Sequence, residues 1–204
     1  MTSIRSYLNK LFQKHNTITV VSGLPRSGTS MMMSALRAGG LPLLTDDARS
    51  ADKNNPKGYY EFERVKKLQK GDVQWLPRAC GKAVKIISAL LEYLPETHNY
   101  RVIFMERDMD EILASQGRML ERDGNENQHP ITDDEMRQSY ENHLAEVKAW
   151  MGDKDWIQTL FVSYNEALQH PLQVFKRVSA FLDHHVDPEE MTRVIDQDLY
   201  RERS

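Results

Sequence analysis

The chain has 204 residues, 40% of them hydrophobic and 28% charged, with a formal net charge of −3; this suits one globular domain and argues against a global basic field for nucleic acid. Its one cysteine, Cys80, excludes an internal disulfide framework and a cysteine-rich metal site and fits a reducing, cytoplasmic setting. No apolar run approaches the roughly 20 residues of a transmembrane helix, and the first residues lack a signal-peptide core, so membrane insertion is not expected.

Residues 2–15 bring Ile4, Tyr7, Leu8, Leu11 and Phe12 to one helical face, with Arg5, Lys10 and Lys14 elsewhere on the wheel. This predicts a leading amphipathic helix over residues 1–16 docked on the domain, the alternative being adhesion to a membrane surface. Residues 18–24 form a short apolar run ending in Gly-Leu-Pro, the pattern of a buried strand. A turn and a helix over residues 29–38 follow, closed by Gly39 and Gly40. Residues 45–60 are polar and carry Asn-Pro and Lys-Gly, which predicts a loop.

Residues 83–87 and, more strongly, 101–105 read as further strands, the latter leading into a helix over residues 109–121. Residues 123–132, rich in Gly, Asn and Pro, predict a mobile connection. Met136, Tyr140, His143, Leu144, Val147 and Trp150 then recur at helical spacing. A short strand is expected at residues 160–163, and Leu172, Phe175, Val178 and Phe181 mark a helix with Pro171 in its first turn. Asp187-Pro188 opens a last short helix. Alternating strands and helices predict an α/β fold, a single domain over residues 1–204 built on a mainly parallel sheet with helices on both faces.

The most informative stretch is Gly23-Leu24-Pro25-Arg26-Ser27-Gly28-Thr29-Ser30, directly after the first strand. Its Gly-x4-Gly spacing is that of a P-loop, but Thr29-Ser30 stands where Lys-Ser/Thr is usual. Backbone N–H groups of such a loop point inward, and the next helix adds the positive end of its dipole. Ser27, Thr29 and Ser30 offer hydroxyls, and Arg26 offers a guanidinium shaped for phosphate or sulfate.

Pro25-Arg26-Ser27-Gly28-Thr29-Ser30 resembles the 5′-phosphosulfate loop of sulfotransferases that use 3′-phosphoadenosine-5′-phosphosulfate (PAPS). The stretch from Arg101 to Ser115 resembles that family's 3′-phosphate motif, in which an Arg ends a strand and a Ser follows eight positions later; Arg107 and Ser115 keep that spacing. Tyr164-Asn165-Glu166-Ala167-Leu168, with His170-Pro171 and Phe181-Leu182, is similar to a C-terminal pattern of the family. Asn55-Pro56-Lys57-Gly58-Tyr59-Tyr60-Glu61 is similar to a segment of bacterial members. The chain lacks the C-terminal Arg-Lys-Gly segment of many cytosolic members; Arg201 and Arg203 lie near that place.

The resemblance implies a P-loop-like sulfotransferase architecture and transfer of a sulfuryl group from PAPS to an acceptor hydroxyl or amine, without a metal. The acceptor would be a small molecule, glycan or peptide. Arg26, Ser27, Gly28, Thr29 and Ser30 would hold the 5′-phosphosulfate, and Arg107 and Ser115 the 3′-phosphate. Charge grows on the bridging oxygen as the donor bond breaks, so a fixed cation there lowers the barrier. Arg26 is the first candidate and Lys85 the second, with Lys82 as the neighbouring alternative. The acceptor's proton needs a base. Glu61 and Asp46 are the candidates, with Asp47 beside the latter.

Two other readings compete. An ATP-dependent phosphotransferase would want a loop lysine and a magnesium carboxylate, and a non-catalytic nucleotide-binding module would bind without turnover. His184-His185 has no carboxylate at ligand spacing and is not read as a metal site, and Met31-Met32-Met33 reads as core.

Overall fold

Strand β1 (Thr17–Gly23) is rich in β-branched residues and is buried along nearly its whole length, as a strand flanked on both edges and covered on both faces must be. It sits inside a four-stranded parallel sheet of order β2-β1-β3-β4, with β2 at Ala83–Lys85, β3 at Asn99–Glu106 and β4 at Ile157–Ser163. The computed structural model describes residues 16–46, 60–122 and 132–195. The helix expected over residues 2–15, residues 47–59 of the expected loop (Asp47 and the 55–59 segment among them), residues 123–131 of the expected connection, and Arg201 and Arg203 lie outside the described residues.

The helices are α1 (Thr29–Ala38), α2 (Leu76–Ala79), α3 (Met109–Arg122), α4 (Asp133–Gly152), α5 (Tyr164–Gln169), α6 (Pro171–Phe181) and α7 (Pro188–Thr192). Two 3₁₀ segments, Glu63–Lys70 and Ser88–Tyr93, flank β2 in the chain. Neither these nor α2 follows from the periodicity, because short 3₁₀ pieces bury only a residue or two per turn. Local chemistry explains several starts. Thr132 caps α4 in a reciprocal box with Glu135, and Pro171 and Pro188 occupy first-turn positions of α6 and α7.

Alternation along the strands separates two cores. Val20, Val84, Val102 and Phe104 face one side, where Phe62, Trp75, Leu91, Val147 and Met151 cover them. Val21, Ile103, Met105 and Val162 face the other, under Met32, Met33, Leu36, Phe175 and Val178. The doubly covered α/β sheet read from the sequence is therefore present.

The strands depart from the expected bounds by one residue at each end of β1 and by two at the start and one at the end of β3, and more informatively at β2 and β4. β2 ends at Lys85; the Ile86 amide still donates to Val21 O at 3.0 Å, but a 3₁₀ turn begins two residues later and takes the chain off the ladder. β4 begins three residues earlier than the 160–163 run, because Ile157, Gln158 and Thr159 alternate in exposure and so hide their strand character from a search for continuous apolar residues.

The strand order places the site. From β1 the chain crosses to β2 on one side; from β3 it moves to β4 on the other. The crevice outside the carboxyl ends of β1 and β3 is the point where the winding reverses, and ligands of open α/β sheets bind at such points.

Candidate active site

The loop between β1 and α1 closes on that crevice. Gly23 has φ 146°, and a Cβ there would lie 2.5 Å from Ser27 Oγ and 2.6 Å from Met105 O, so the loop folds back tightly only with glycine. Ser27 N donates to Leu24 O at 3.2 Å, closing the turn. Arg26 takes a left-handed backbone, φ 71°, without being glycine, and such strain concentrates at functional sites. Gly28 follows at φ 99°, where a Cβ would run into the Tyr164 ring. The first turn of α1 carries no acidic residue, so its positive end is not neutralised locally. Ser27 Oγ is buried without a hydrogen-bond partner among the described residues. An orphaned buried hydroxyl in the loop before a helix start is a feature an incoming anion would satisfy.

The residues after β3 meet this loop. Arg26 Nε donates to Ser115 Oγ at 2.8 Å, joining a loop arginine to a serine of α3 that is buried. Arg107 Nη1 donates to the Arg26 carbonyl at 3.1 Å, and its Nε to Glu111 Oε2 at 2.7 Å. The Arg107 and Glu111 side chains are only 7% and 6% exposed, so this is a buried pair and not the surface bridge one expects of neighbouring charges on a helix. Asn165 Nδ2 donates to the other Glu111 oxygen at 3.1 Å. The Arg107 guanidinium lies over the Tyr164 ring, 4.6 Å from its centroid. Burial pushes the Tyr164 phenol above its usual range; Arg107 and Arg26 oppose that shift and Glu111 adds to it.

A second cluster lies across the loop at the end of β2. Lys85 Nζ is 3.5 Å from Ser30 Oγ on the first turn of α1 and 4.0 Å from Glu61 Oε1. Glu61 Oε2 is also 3.7 Å from Lys66 Nζ. The lysine side chain is 10% exposed, so its charge is directed inward. Lys82 precedes β2 and lies at the amino end of the sheet, away from the loop; its carbonyl accepts from Thr19 N at 3.1 Å. The geometry thus separates the two lysines that the sequence left open. Asp46 is exposed, and its Oδ2 accepts from Glu63 N at 2.7 Å.

Among the sequence-derived candidates, Arg26, Ser115 and Arg107 form one connected group and Lys85, Ser30 and Glu61 another, both at the carboxyl rim of the sheet. Glu111, Asn165 and Tyr164 were not singled out as site residues, although Tyr164 and Asn165 stood inside a noted motif. The i,i+4 spacing of Arg107 and Glu111 was visible; its burial was not. Ser88, which is buried, meets His143 Nε2 at 2.8 Å and ties α4 to the segment after Lys85. His184 and His185 fall in a turn after α6, and no group of metal-ligating side chains occurs among the described residues. No described helix is long and apolar enough to cross a membrane.

A family model described as a sulfotransferase domain matches residues 16–202. No curated protein matches the chain significantly. Among solved structures, a sulfotransferase from Mycobacterium avium aligns over 98% of this chain and 73% of its own, at 13% identity and a TM-score of 0.52. A mouse sulfotransferase complexed with PAP aligns over 93% of this chain and 67% of its own, at 19% identity and a TM-score of 0.51. The sulfotransferase domain from the curacin biosynthetic pathway covers 92% of each chain at 14% identity, with a TM-score of 0.48. The first two likenesses, at such identities, speak to the fold alone.

Proposed function

The chain belongs to the sulfotransferase family, whose chemistry is sulfuryl transfer, and we propose that its donor is PAPS and its acceptor a hydroxyl or amine of a small molecule, glycan or peptide. The observation that carries the reading is the buried, partnerless Ser27 Oγ in the loop that leads into α1, next to Arg26, whose guanidinium reaches Ser115. Family membership weighs against an ATP-dependent phosphotransferase, as does the absence of lysine from the loop.

In this reading the amides of Gly28, Thr29 and Ser30 at the start of α1 and the hydroxyls of Ser27, Thr29 and Ser30 hold the 5′-phosphosulfate, the Ser27 amide being used to close the turn. Arg26 faces the bridging oxygen, and its bond to Ser115 fixes the plane of the guanidinium. Lys85 adds a second cation beside Ser30. Both strengthen their hold as negative charge builds on the leaving oxygen, which is what lowers the barrier. Arg107 and Ser115 bind the 3′-phosphate; a guanidinium has five N–H donors, enough to serve Glu111, the Arg26 carbonyl and a phosphate together. Glu61 takes the acceptor's proton, and the nearby Lys85 orients its carboxylate. The amides and cations answer the donor's charge, so no metal is required.

Calorimetry with adenosine 3′,5′-bisphosphate (PAP) in the presence of a chelator tests the donor assignment. Binding without metal is the expected result. Binding of magnesium-ATP far more tightly than of PAP overturns it. Incubation with PAPS and fractionated extract, read by mass spectrometry for a new sulfate ester or sulfamate, then identifies the acceptor.

A further inference from the structure

Glu61 is held chiefly through its backbone. On one side Tyr60 packs against the second core in a left-handed conformation, φ 52°, which a residue with a side chain adopts only at a cost. On the other, Phe62 is buried in the first core, edge-on to Trp75 with ring centroids 5.4 Å apart. Successive aromatic anchors in opposite cores stretch Glu61 across the rim of the sheet beside Lys85. The Glu61 carbonyl accepts from Thr45 Oγ1 at 3.0 Å and from Asp46 N at 3.2 Å. Two residues on, Glu63 N donates to Asp46 Oδ2 at 2.7 Å. Asp46 therefore grips the backbone at Glu61 and again at Glu63, with its amide on one side and its carboxylate on the other.

We propose that Asp46, together with Thr45, is a positioning residue that aims the Glu61 carboxylate at the acceptor and does not itself exchange a proton. The inference rests on the reading of Glu61 as the base. Two observations distinguish Asp46 from a base. Its carboxylate accepts from a backbone amide, and Lys85, which reaches Ser30 on the first turn of α1, contacts Glu61. A small shift of a reacting group suffices to matter, since a displacement of about 1 Å can cost roughly a hundredfold in rate.

The test uses the full chain and measures PAP released from PAPS, with phenol or water, both of which must lose a proton, as acceptor, beside PAP affinity and thermal melting. Glu61→Gln is expected to lower kcat by about 10²–10⁴, the usual contribution of a general base. Asp46→Ala is expected to lower kcat by about 10–10² with PAP affinity and the KM for PAPS unchanged. Asp46→Asn should restore most of the rate, because an amide oxygen still accepts from Glu63 N. In the Glu61→Gln background, Asp46→Ala should cost nothing more, since it acts through the group already lost. Thr45→Val gives a milder loss by removing the Oγ1 bond with little change of shape, and serves where Asp46→Ala fails to fold.

Asp46→Asn as inactive as Glu61→Gln makes Asp46 a base and overturns the proposal. So does wild-type turnover in both Asp46→Ala and Thr45→Val, or losses that multiply in the double variant. Wild-type turnover in Glu61→Gln removes the base reading itself, and the proposal with it.

Discussion

Arg107→Ala separates the two roles that the geometry gives this arginine. The substitution leaves Glu111, whose side chain is 6% exposed, with the Asn165 amide at 3.1 Å but without its guanidinium partner. Breaking one side of a buried ion pair typically costs about 3–5 kcal/mol, because the remaining charge is desolvated and uncompensated. A chain of this size loses roughly 2–4 °C of melting temperature per kcal/mol, so the expected fall is about 6–20 °C. Adding Glu111→Gln to Arg107→Ala removes the buried charge that has lost this partner, and the double variant should melt above the Arg107→Ala single. The coupling energy should fall within about 0.5–3 kcal/mol. Differential scanning fluorimetry on the four proteins of the cycle measures it. Additive losses, or an Arg107→Ala shift no larger than that of an exposed arginine, would refute the idea that this pair is a buried strut.

The same variant tests ligand recognition. Arg107 also donates to the Arg26 carbonyl at 3.1 Å, so its loss loosens the loop itself. Affinity for a donor analogue without the 3′-phosphate should therefore fall too. The 3′-phosphate should add an excess of about 1.5–3 kcal/mol, the worth of a hydrogen bond to a charged group. Equal losses for the two ligands would leave Arg107 a brace for the loop and nothing more.

Arg26→Ala should keep the fold and reduce turnover by about 10²–10³, with partial recovery in Arg26→Lys; a rise in KM with kcat intact would instead mark Arg26 as a ground-state binding residue. Gly28→Ala forces a side chain into φ 99° and into the Tyr164 ring that stacks on Arg107, so both the melting temperature and PAP affinity should drop; unchanged PAP affinity by calorimetry would contradict that coupling. Burial raises the Tyr100 phenol well above its usual range. The unfolded chain ionises there at about pH 10 while the folded one stays protonated, so stability is full below that pH and is lost as pH rises through the folded value. Tyr100→Phe should flatten this alkaline loss while costing about 0.5–1.5 kcal/mol near neutrality through the bond to Pro95 O; an unchanged alkaline melting profile would exclude Tyr100 as its source.

How much of this was legible in the sequence depended on whether the signal was local. The loop was readable because its glycine spacing and its place after an apolar strand are consecutive in the chain. Arg107 and Ser115 could be placed by their eight-residue separation, but the burial of Arg107 depends on Tyr164 and Asn165, which reach it only once β4 lies beside β3. The choice between Lys82 and Lys85 needed the end of β2, and that end is set by a 3₁₀ turn with no periodic signature. Asp46 and Glu61 looked alike as acidic residues in a polar stretch. Only the hydrogen bonds that cross from residue 46 to residues 61 and 63 set them apart.

Backbone strain sharpens the same contrast. Four described non-glycine residues have positive φ, and two of them, Arg26 and Tyr60, stand at or beside the proposed site. Holding a residue with a Cβ in this region costs about 1–2 kcal/mol, and glycine at position 26 would avoid it. Glycine would also delete the guanidinium. A preorganised donor at a developing oxyanion is worth about 2.7–4 kcal/mol in the barrier, which exceeds the strain. In the proposed mechanism the strain at Arg26 is the smaller of the two quantities. At Tyr60 the offset is different: the ring anchors in the core with α1, and the strained link delivers the next residue, Glu61, to Lys85. In both places a local penalty is accepted beside a charged group, one that reaches Ser115 of α3 and one that meets Lys85 at the end of β2.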